Sequence, residues 1–535
     1  MSLLRVMMEH IMTFHLALNM AGAVSAGAYT AGVLDFLIEA LDEWYDARET
    51  QRALHGDDFE SWTIPAHEVK LDVLSGASAG GMCAAISAVA LQEIFDHVHQ
   101  TESPMGNRLY ESWVRSIDIL PLLGTADLPP AHSLLDSTPV AKIAVTAIAS
   151  QAGREKKREW VAERLRVILT LSNLRGIPYS VNEANAGSFE ERIAYHADRV
   201  DFTIPGADWA ALRTAAMATG AVPVMLAAQT IERARAEYEN RLWNDCGSIS
   251  KIPPAWDDSV VPPRFENVYV DGGVTNNNPF ECAREALAQA AGNGGRNPRA
   301  GREANAAVIT IAPFPGEEPF DPAYDASKQS ELPNVLKALI STLVSQSRFQ
   351  GEDLRLTKDP DVLSRFAIAP VDNSVQDLPA LLCGSLGAFG GFIDQKFRDR
   401  DYQLGRRNCQ QFLRKHLAMP EGNAAIGTGV SPAVQDEYSF VENGTRWYPV
   451  IPLMPSLRGK IPALPRDEFK TTEARLEQVA SAAAGRLKAV LHALAEHHAA
   501  WSLLLSVLFD LGGSAKVKGV ILDLLTDDLK ATGQV

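Results

Sequence analysis

The chain has 535 residues, a formal net charge of −16 at pH 7, and 46% hydrophobic and 22% charged residues. A chain of this length exceeds one small core, so we expect one large domain with an appendage, or two domains. The acidic balance argues against nucleic acid as a partner, because binding to phosphates requires a basic surface.

The five cysteines are scattered and form no Cys-x-x-Cys pair, which is typical of reduced thiols in a cytoplasm. The N-terminus carries Glu9 and His10 where a signal peptide would have its apolar core. No stretch approaches the roughly 18–20 unbroken apolar residues of a membrane span. We therefore predict a cytoplasmic protein and leave peripheral contact with a membrane open.

Alternating apolar residues predict a first strand over residues 14–20, followed by a turn rich in glycine and alanine over Gly22–Gly27. A helix is predicted from Ala28. Amides exposed in such a turn, beside the positive end of a helix, suit a negatively charged oxygen. The turn is not a phosphate-binding P-loop, since neither lysine nor serine follows Gly27, and the spacing of its two glycines does not fit a dinucleotide fingerprint.

A Gly-x-Ser-x-Gly pentapeptide, Gly76–Gly80, follows a second predicted strand and precedes a predicted helix. In a sharp strand-to-helix turn the neighbours of the serine must be small, as they are here. The turn would expose the hydroxyl of Ser78 at the edge of the sheet, which makes it a candidate nucleophile. The alternative is a glycine-rich turn in which Ser78 only caps the helix.

A serine nucleophile needs a base, and two kinds of candidate remain open. A short predicted strand ends on Asp271, and Gly272 and Gly273 follow it, so this carboxylate would reach the edge of the sheet that carries the serine. The alternative is that Asp271 only bonds its own loop. His132 and His196, in stretches predicted to be irregular, are the candidates for a Ser-His-Asp triad.

Strands that alternate with helices up to about residue 311 predict an α/β sandwich with a largely parallel sheet. Within this part, residues 48–68 are predicted to be a polar loop. Residues 334–358 and 392–418 are predicted to be helical, and the proline-containing stretch 419–468 is predicted to be a linker. Apolar residues at helical spacing then begin near residue 470. The apolar stretch from Trp501 to Leu511 is either part of a helical hairpin on the core, which we favour, or a surface for a membrane or partner.

Three blocks together resemble the patatin-like phospholipases. They are Gly22 with Gly27–Leu34, Gly76–Gly81, and Asp271–Gly273, in this order. The resemblance implies a three-layer α/β sandwich with a mostly parallel central sheet and a Ser-Asp dyad that hydrolyses acyl esters of lipids. Ser78 would be the nucleophile and Asp271 its base. Backbone amides of Gly22, Ala23, Val24 and Ala79 would form the oxyanion hole, and Gly27, Gly76, Gly80, Gly272 and Gly273 would support the motifs.

The resemblance also divides the chain. It predicts a catalytic domain over residues 12–315, a helical continuation packed on it over 316–420, and a linker with a C-terminal helical region over 421–535. The expected substrate is a lipid or another acyl ester. No cofactor or metal is predicted, because no cluster of histidine, cysteine and carboxylate residues has ligand spacing.

One block departs from the family. Members usually carry consecutive glycines and then a basic residue, whereas Ala23 and Val24 follow Gly22 here. Alanine can still donate its amide, but a β-branched residue such as Val24 resists positive φ. The alternative function is therefore a lipid-binding or regulatory protein that has kept the scaffold with weak turnover.

Overall fold

The structure is a computed structural model. It describes residues 13–99, 104–182, 190–245, 248–257, 259, 261–314, 324–331, 334–335, 362–373, 378–495 and 513–535. The helix predicted over 334–358 lies outside the described residues except for its first two positions, and the apolar stretch from Trp501 to Leu511 lies wholly outside them.

The strands of the described residues form one large and two small sheets. In chain order they are β1 Thr13–Met20, β2 Glu68–Gly76, β3 Val161–Asn182, β4 Glu190–Ile204, β5 Gln229–Ala234, β6 Leu242–Asp245, β7 Ser248–Lys251, β8 Arg264–Asp271, β9 Ala306–Ile311, β10 Arg365–Ile368, β11 Ala418–Pro420, β12 Phe440–Glu442 and β13 Thr445–Pro449. The large sheet has the order β10-β9-β1-β2-β3-β8-β5, with β4 also paired to β3. Its pairs from β10 to β3 are parallel, and β4, β8 and β5 join it antiparallel.

The longer helices are α1 Gly27–His55, α2 Ser78–Ala90, α3 Thr138–Ala147, α4 Trp209–Thr219, α5 Phe280–Ala290, α6 Gln395–Lys415, α7 Glu473–Ala495 and α8 Ser514–Ala531. Short helical segments are Val24–Ala26, Phe59–Ser61, Arg108–Tyr110, Glu111–Ser116, Ile119–Leu122, Arg235–Glu239, Gly272–Val274, Ala326–Gln329, Leu386–Ala388, Gly390–Phe392, Gly427–Gly429, Pro455–Leu457 and Arg466–Phe469.

Helices cover both faces of the large sheet, which gives the three layers of an α/β sandwich. Side chains alternate along β1, so Leu16 and Leu18 join the core under α1 and α2, whereas Ala17 faces the other way. On that second face Ala17 packs with Ala283 and Leu287 of α5. The predicted fold class, a three-layer sandwich with a mostly parallel central sheet, is therefore confirmed.

The C-terminal part of the chain packs into the same core through a close crossing of α1 and α6. A Cβ atom on Gly32 would clash with the backbone of Tyr402, and one on Gly405 would clash with the backbone of Tyr29. Near this crossing Arg406 forms ion pairs with the buried Asp35 and Glu39 of α1. The domain boundaries proposed near residues 315 and 420 stay a prediction.

Two local predictions are wrong. Residues 48–68 are not a loop throughout, because α1 continues to His55. Residues 419–468 are not a linker, since β12 and β13 form an antiparallel pair and β11 joins β13. Strands of three to five residues are too short to show a hydrophobic period.

One helical segment of the described chain, Val24–His55, is long and apolar enough to cross a membrane by length and composition. Its most apolar window is 94% buried within the protein. It also carries Asp35 and Glu39 on a face that α6 covers. This burial is typical of a helix at the centre of a folded core.

We expect the substitution Gly405→Ala to lower the free energy of unfolding by about 1–3 kcal/mol, because its methyl group would force α1 and α6 apart. Gly485→Ala on α7 is the matched control. A Cβ atom there meets no atom of the described residues within 4 Å, and alanine favours the helix by about 1 kcal/mol. Urea denaturation followed by circular dichroism measures both changes. An unchanged midpoint for Gly405→Ala would contradict the tight crossing.

Candidate active site

The turn between β2 and α2 holds Ser78 in a conformation that few residues adopt. Ser78 has φ 53°, in the left-handed region, directly after the extended Ala77. Its amide donates to Thr219 Oγ1 at 2.9 Å, which ties the turn to the end of α4. A non-glycine residue in this region costs about 1–3 kcal/mol, so the surroundings must hold it there.

Ser78 and Asp271 meet in a buried hydrogen bond. Ser78 Oγ donates to Asp271 Oδ2 at 2.6 Å, although the two residues are 193 positions apart in sequence. The strand β3 brings them together, because it pairs with both β2 and β8. Gly76 at the end of β2 pairs with Leu169 of β3. Asp271 at the end of the antiparallel β8 pairs with Leu171, two residues further along β3. The structure thus brings together the two residues that the sequence predicted as nucleophile and base.

The carboxylate of Asp271 has an environment that favours its neutral form. Burial raises its pKa from 3.8 to about 7, against the lowering effect of the hydrogen bonds from Ser78 and from the Gly273 amide. The Gly273 N–H donates to Asp271 Oδ1 at 2.7 Å. Near neutral pH the group therefore exchanges a proton readily, as a general base must.

The turn after β1 partly differs from the predicted oxyanion hole. The amide of Gly22 donates to the carbonyl of Asn277 at 3.1 Å, so it is not free for a ligand, and the prediction for Gly22 is corrected. Within the described part of the chain, the amides of Ala23 and Val24 have no hydrogen-bond acceptor. Val24 adopts φ 47° despite its branched side chain. The valine thus takes the left-handed conformation that its residue type disfavours.

The amide of Ala79 belongs to the first turn of α2, where an amide has no acceptor within its own helix. The motif glycines around the site have no room for a side chain, because a Cβ atom would clash with atoms of neighbouring segments. This holds for Gly27, Gly76, Gly80, Gly272 and Gly273.

A cavity of about 790 Å³, counting its open mouth, begins at Ser78. Among the described lining residues, the side chains with a polar atom are those of Ser78, Ser112 and Trp113, the last through its indole N–H. The other lining residues are apolar or glycine: Val24, Ala79, Met82, Ile86, Ile117, Leu122, Leu135, Val140, Ile143, Ala144, Ala147, Ile148, Ala216, Gly220, Val222, Leu226, Phe389 and Phe392. A space of this chemistry suits a hydrocarbon chain.

No histidine contacts Ser78 or Asp271 in the part of the chain that the structure describes. His196 lies on β4, not in an irregular stretch, and its Nδ1 hydrogen bonds to the carbonyl of Asn173 at 2.6 Å. His132 lies near Asp127, whose pKa is lowered mainly by the hydrogen bond from Arg486. Neither histidine lines the cavity.

Within the described ranges, no group of three or more histidine, cysteine or acidic residues is arranged to hold a metal ion.

Sequence reasoning missed Thr219 and Asn277, which hold Ser78 and Gly22 in place. Asn277 belongs to the loop after Asp271. The three consecutive asparagines of that loop were the sequence feature that could have indicated a contact with the site. Thr219 belongs to the small apolar stretch 209–228, where Ala216 and Val222 also line the cavity.

Comparison with known proteins identifies one family. The sequence profile of the Patatin-like phospholipase family matches residues 18–284. The uncharacterized protein y4iI of Sinorhizobium fredii is 32% identical over 558 residues, covering 88% of this chain and 76% of that protein. The crystal structure of VipD from Legionella pneumophila aligns with 98% of this chain and 92% of that chain, at 12% identity and a TM-score of 0.25, which is too low to carry an argument.

The family match implies a lipid hydrolase, and the α/β sandwich is consistent with that family. The chain belongs to the patatin-like phospholipase family, whose members act on lipid substrates.

We expect Asp271→Asn to raise the free energy of unfolding, and more so at pH 8 than at pH 5. The pKa of Asp271 is about 7 when folded and near 3.8 when unfolded, so its contribution to stability is complete below pH 4 and is lost as the pH rises to 7. Asparagine does not titrate, and its amide can still donate to Ser78 and accept from Gly273. The difference between the two pH values should be about 3 kcal/mol.

Urea denaturation of the wild type and Asp271→Asn at both pH values measures this difference, and all other titrating groups cancel between the two proteins. An equal advantage at pH 5 and pH 8 would show that Asp271 is not held in its neutral form by burial.

Proposed function

We propose that this protein is a serine esterase that cleaves acyl esters of lipids through a Ser78–Asp271 dyad and an acyl-enzyme. The observation that carries the proposal is the 2.6 Å hydrogen bond from Ser78 Oγ to the buried Asp271 carboxylate, at the end of an apolar cavity. Family membership supports lipid hydrolysis in general, and the geometry supports these two residues in particular.

In the acylation step, Ser78 Oγ attacks the ester carbonyl carbon while its proton passes to Asp271 Oδ2. The carbonyl oxygen becomes negatively charged, and the amides of Ala23, Val24 and Ala79 are the donors available to hold it. When the tetrahedral intermediate collapses, the ester C–O bond breaks and the leaving alcohol takes the proton from Asp271. The acyl group remains on Ser78.

In the deacylation step, Asp271 accepts a proton from water as the water oxygen attacks the acyl carbonyl. The bond to Ser78 Oγ breaks, the proton returns to this oxygen and the fatty acid leaves. A carboxylate with a pKa of about 7 suits both directions of transfer, because it neither holds nor releases the proton too firmly.

The cavity supports an acyl chain as the group bound beside Ser78. Apart from Ser78, Ser112 and the indole N–H of Trp113, the described lining offers no polar side chain, so a headgroup would find few hydrogen-bond partners there. We place the acyl chain in the cavity and the alcohol part of the lipid toward its mouth.

The rival hypothesis, a lipid-binding protein with weak turnover, was motivated by the replacement of family glycines by Ala23 and Val24. The left-handed backbone of Val24 and the unengaged amides of both residues favour turnover instead. A cytoplasmic location and peripheral contact with a membrane stay predictions from the sequence.

We expect Ser78→Ala to reduce hydrolysis of short-chain esters and phospholipids by about a thousandfold or more, because no other nucleophile replaces the serine. It should also abolish labelling by a fluorophosphonate probe. An ester and phospholipid panel run on both proteins measures the loss.

The matched control is Ser87→Ala on the same helix, whose buried hydroxyl has no hydrogen-bond partner among the described residues and lies outside the cavity lining. It should retain activity and labelling. If Ser78→Ala were as active and as readily labelled as this control, the proposed function would be wrong.

We expect Ala144→Phe to shorten the accepted acyl chain. Ala144 lines the cavity from α3, so a phenyl group there would displace several methylene groups of a bound chain, each worth about 0.8 kcal/mol. The value of kcat/KM for a palmitoyl ester should fall by about tenfold or more, while that for an acetyl ester stays within about threefold.

Val145→Phe is the matched control, since Val145 is the next residue on α3 and is 55% exposed. Its preference for chain length should not change. Equal losses on long and short esters in Ala144→Phe would contradict the placement of the acyl chain in this cavity.

A further inference from the structure

The turn that contains Ala23 and Val24 is attached to a segment far away in the chain. Ser25, which is fully buried, donates its hydroxyl proton to the carbonyl of Ala388 at 2.5 Å, with the carbonyl of Cys383 a second acceptor at 3.2 Å. The same oxygen accepts the amide of Gly391 at 3.1 Å. One side chain therefore joins the turn to a loop more than 350 residues later, which we name the clamp loop, residues 383–391.

The clamp loop is itself firmly held. The amide of Cys383 donates to Asp401 Oδ2 at 2.8 Å, and the amide of Leu386 donates to Asp528 Oδ2 at 2.8 Å. Arg398 on α6 donates to the carbonyl of Gly391 at 2.6 Å. The loop is thus fixed to two helices of the C-terminal part, and it can act as a rigid support for the turn.

The contact between Ser25 and the clamp loop is also tightly fitted. A Cβ atom on Gly391 would lie 2.6 Å from Ser25 Oγ and 2.5 Å from Cys383 Sγ, so only glycine leaves room for the hydroxyl. Phe389 of the loop and Phe392, which directly follows the loop, form part of the cavity wall. The loop lies outside the residues 18–284 that match the family.

We propose that Ser25 is a positioning residue, which holds the turn that contains Ala23 and Val24 in place through the clamp loop. Val24 disfavours the left-handed conformation that it adopts, and the next residue is the one anchored by three hydrogen bonds. Release of that anchor would let Val24 return to an ordinary conformation and would turn the amides of Ala23 and Val24 away from the substrate oxygen. The inference rests on the proposed esterase function.

The test compares Ser25→Ala and Ser25→Cys with the wild type. Cysteine has nearly the volume of serine but is a weak hydrogen-bond partner, so it separates the hydrogen bonds from packing. We expect both variants to lose about tenfold to a hundredfold in kcat, with KM within about threefold, because a displaced oxyanion donor acts on the transition state. The pH dependence of kcat/KM should keep its acid limb near pH 7, since Asp271 is untouched.

Ser87→Ala again serves as the control and should keep its kcat. Wild-type kcat in Ser25→Cys would overturn the proposal, and so would a loss confined to KM. Amide hydrogen exchange of Gly391, which should accelerate in both Ser25 variants, reports the clamp independently of turnover. If the wild type showed no hydrolysis that depends on Ser78, the esterase proposal would fail, while accelerated exchange would still establish the clamp as a structural contact.

Discussion

Two residues with side chains, Val24 and Ser78, occupy the left-handed backbone region in the wall of one cavity. This conformation persists only where surrounding contacts fix it. The fixed points come from three different parts of the chain: Thr219 holds Ser78, Asn277 holds Gly22, and the clamp loop holds Ser25. The strands β1 and β2 end here, so the sheet places the turn that contains Val24 and the turn that contains Ser78 side by side. Contacts from the rest of the fold then hold both turns in the left-handed conformation.

The electrostatics of the site differ from those of three other buried carboxylates of the described chain. Asp35, Asp42 and Asp198 are also buried, but an arginine contacts each of them and their pKa values lie below the ordinary value. Asp271 receives only neutral donors, and burial raises its pKa. The ion-paired carboxylates stabilise the fold, whereas the unpaired one keeps its capacity to exchange a proton, which is common at functional sites.

The sequence allowed prediction of features that a local pattern encodes. The strand and helix on either side of Ser78 and the strand that ends at Asp271 follow from hydrophobic periods and glycine spacing. Thr219 and Ser25 could not be predicted in the same way, because their partners lie 141 and 363 positions away. The left-handed Val24 runs against its own residue preference, and only the complete fold explains it. The short strands β11 to β13 carry too few residues for a period to appear.

The crossing of α1 and α6 has a consequence for how the protein is made. Asp35 and its partner Arg406 are separated by 371 residues. At a synthesis rate of about 5–20 residues per second, roughly 20–75 seconds pass between the appearance of the first and the second on the ribosome. Throughout that interval the acidic face of α1 has no cation from α6 to neutralise it. The ion pairs between α1 and α6 therefore cannot form before the last third of the chain is synthesised.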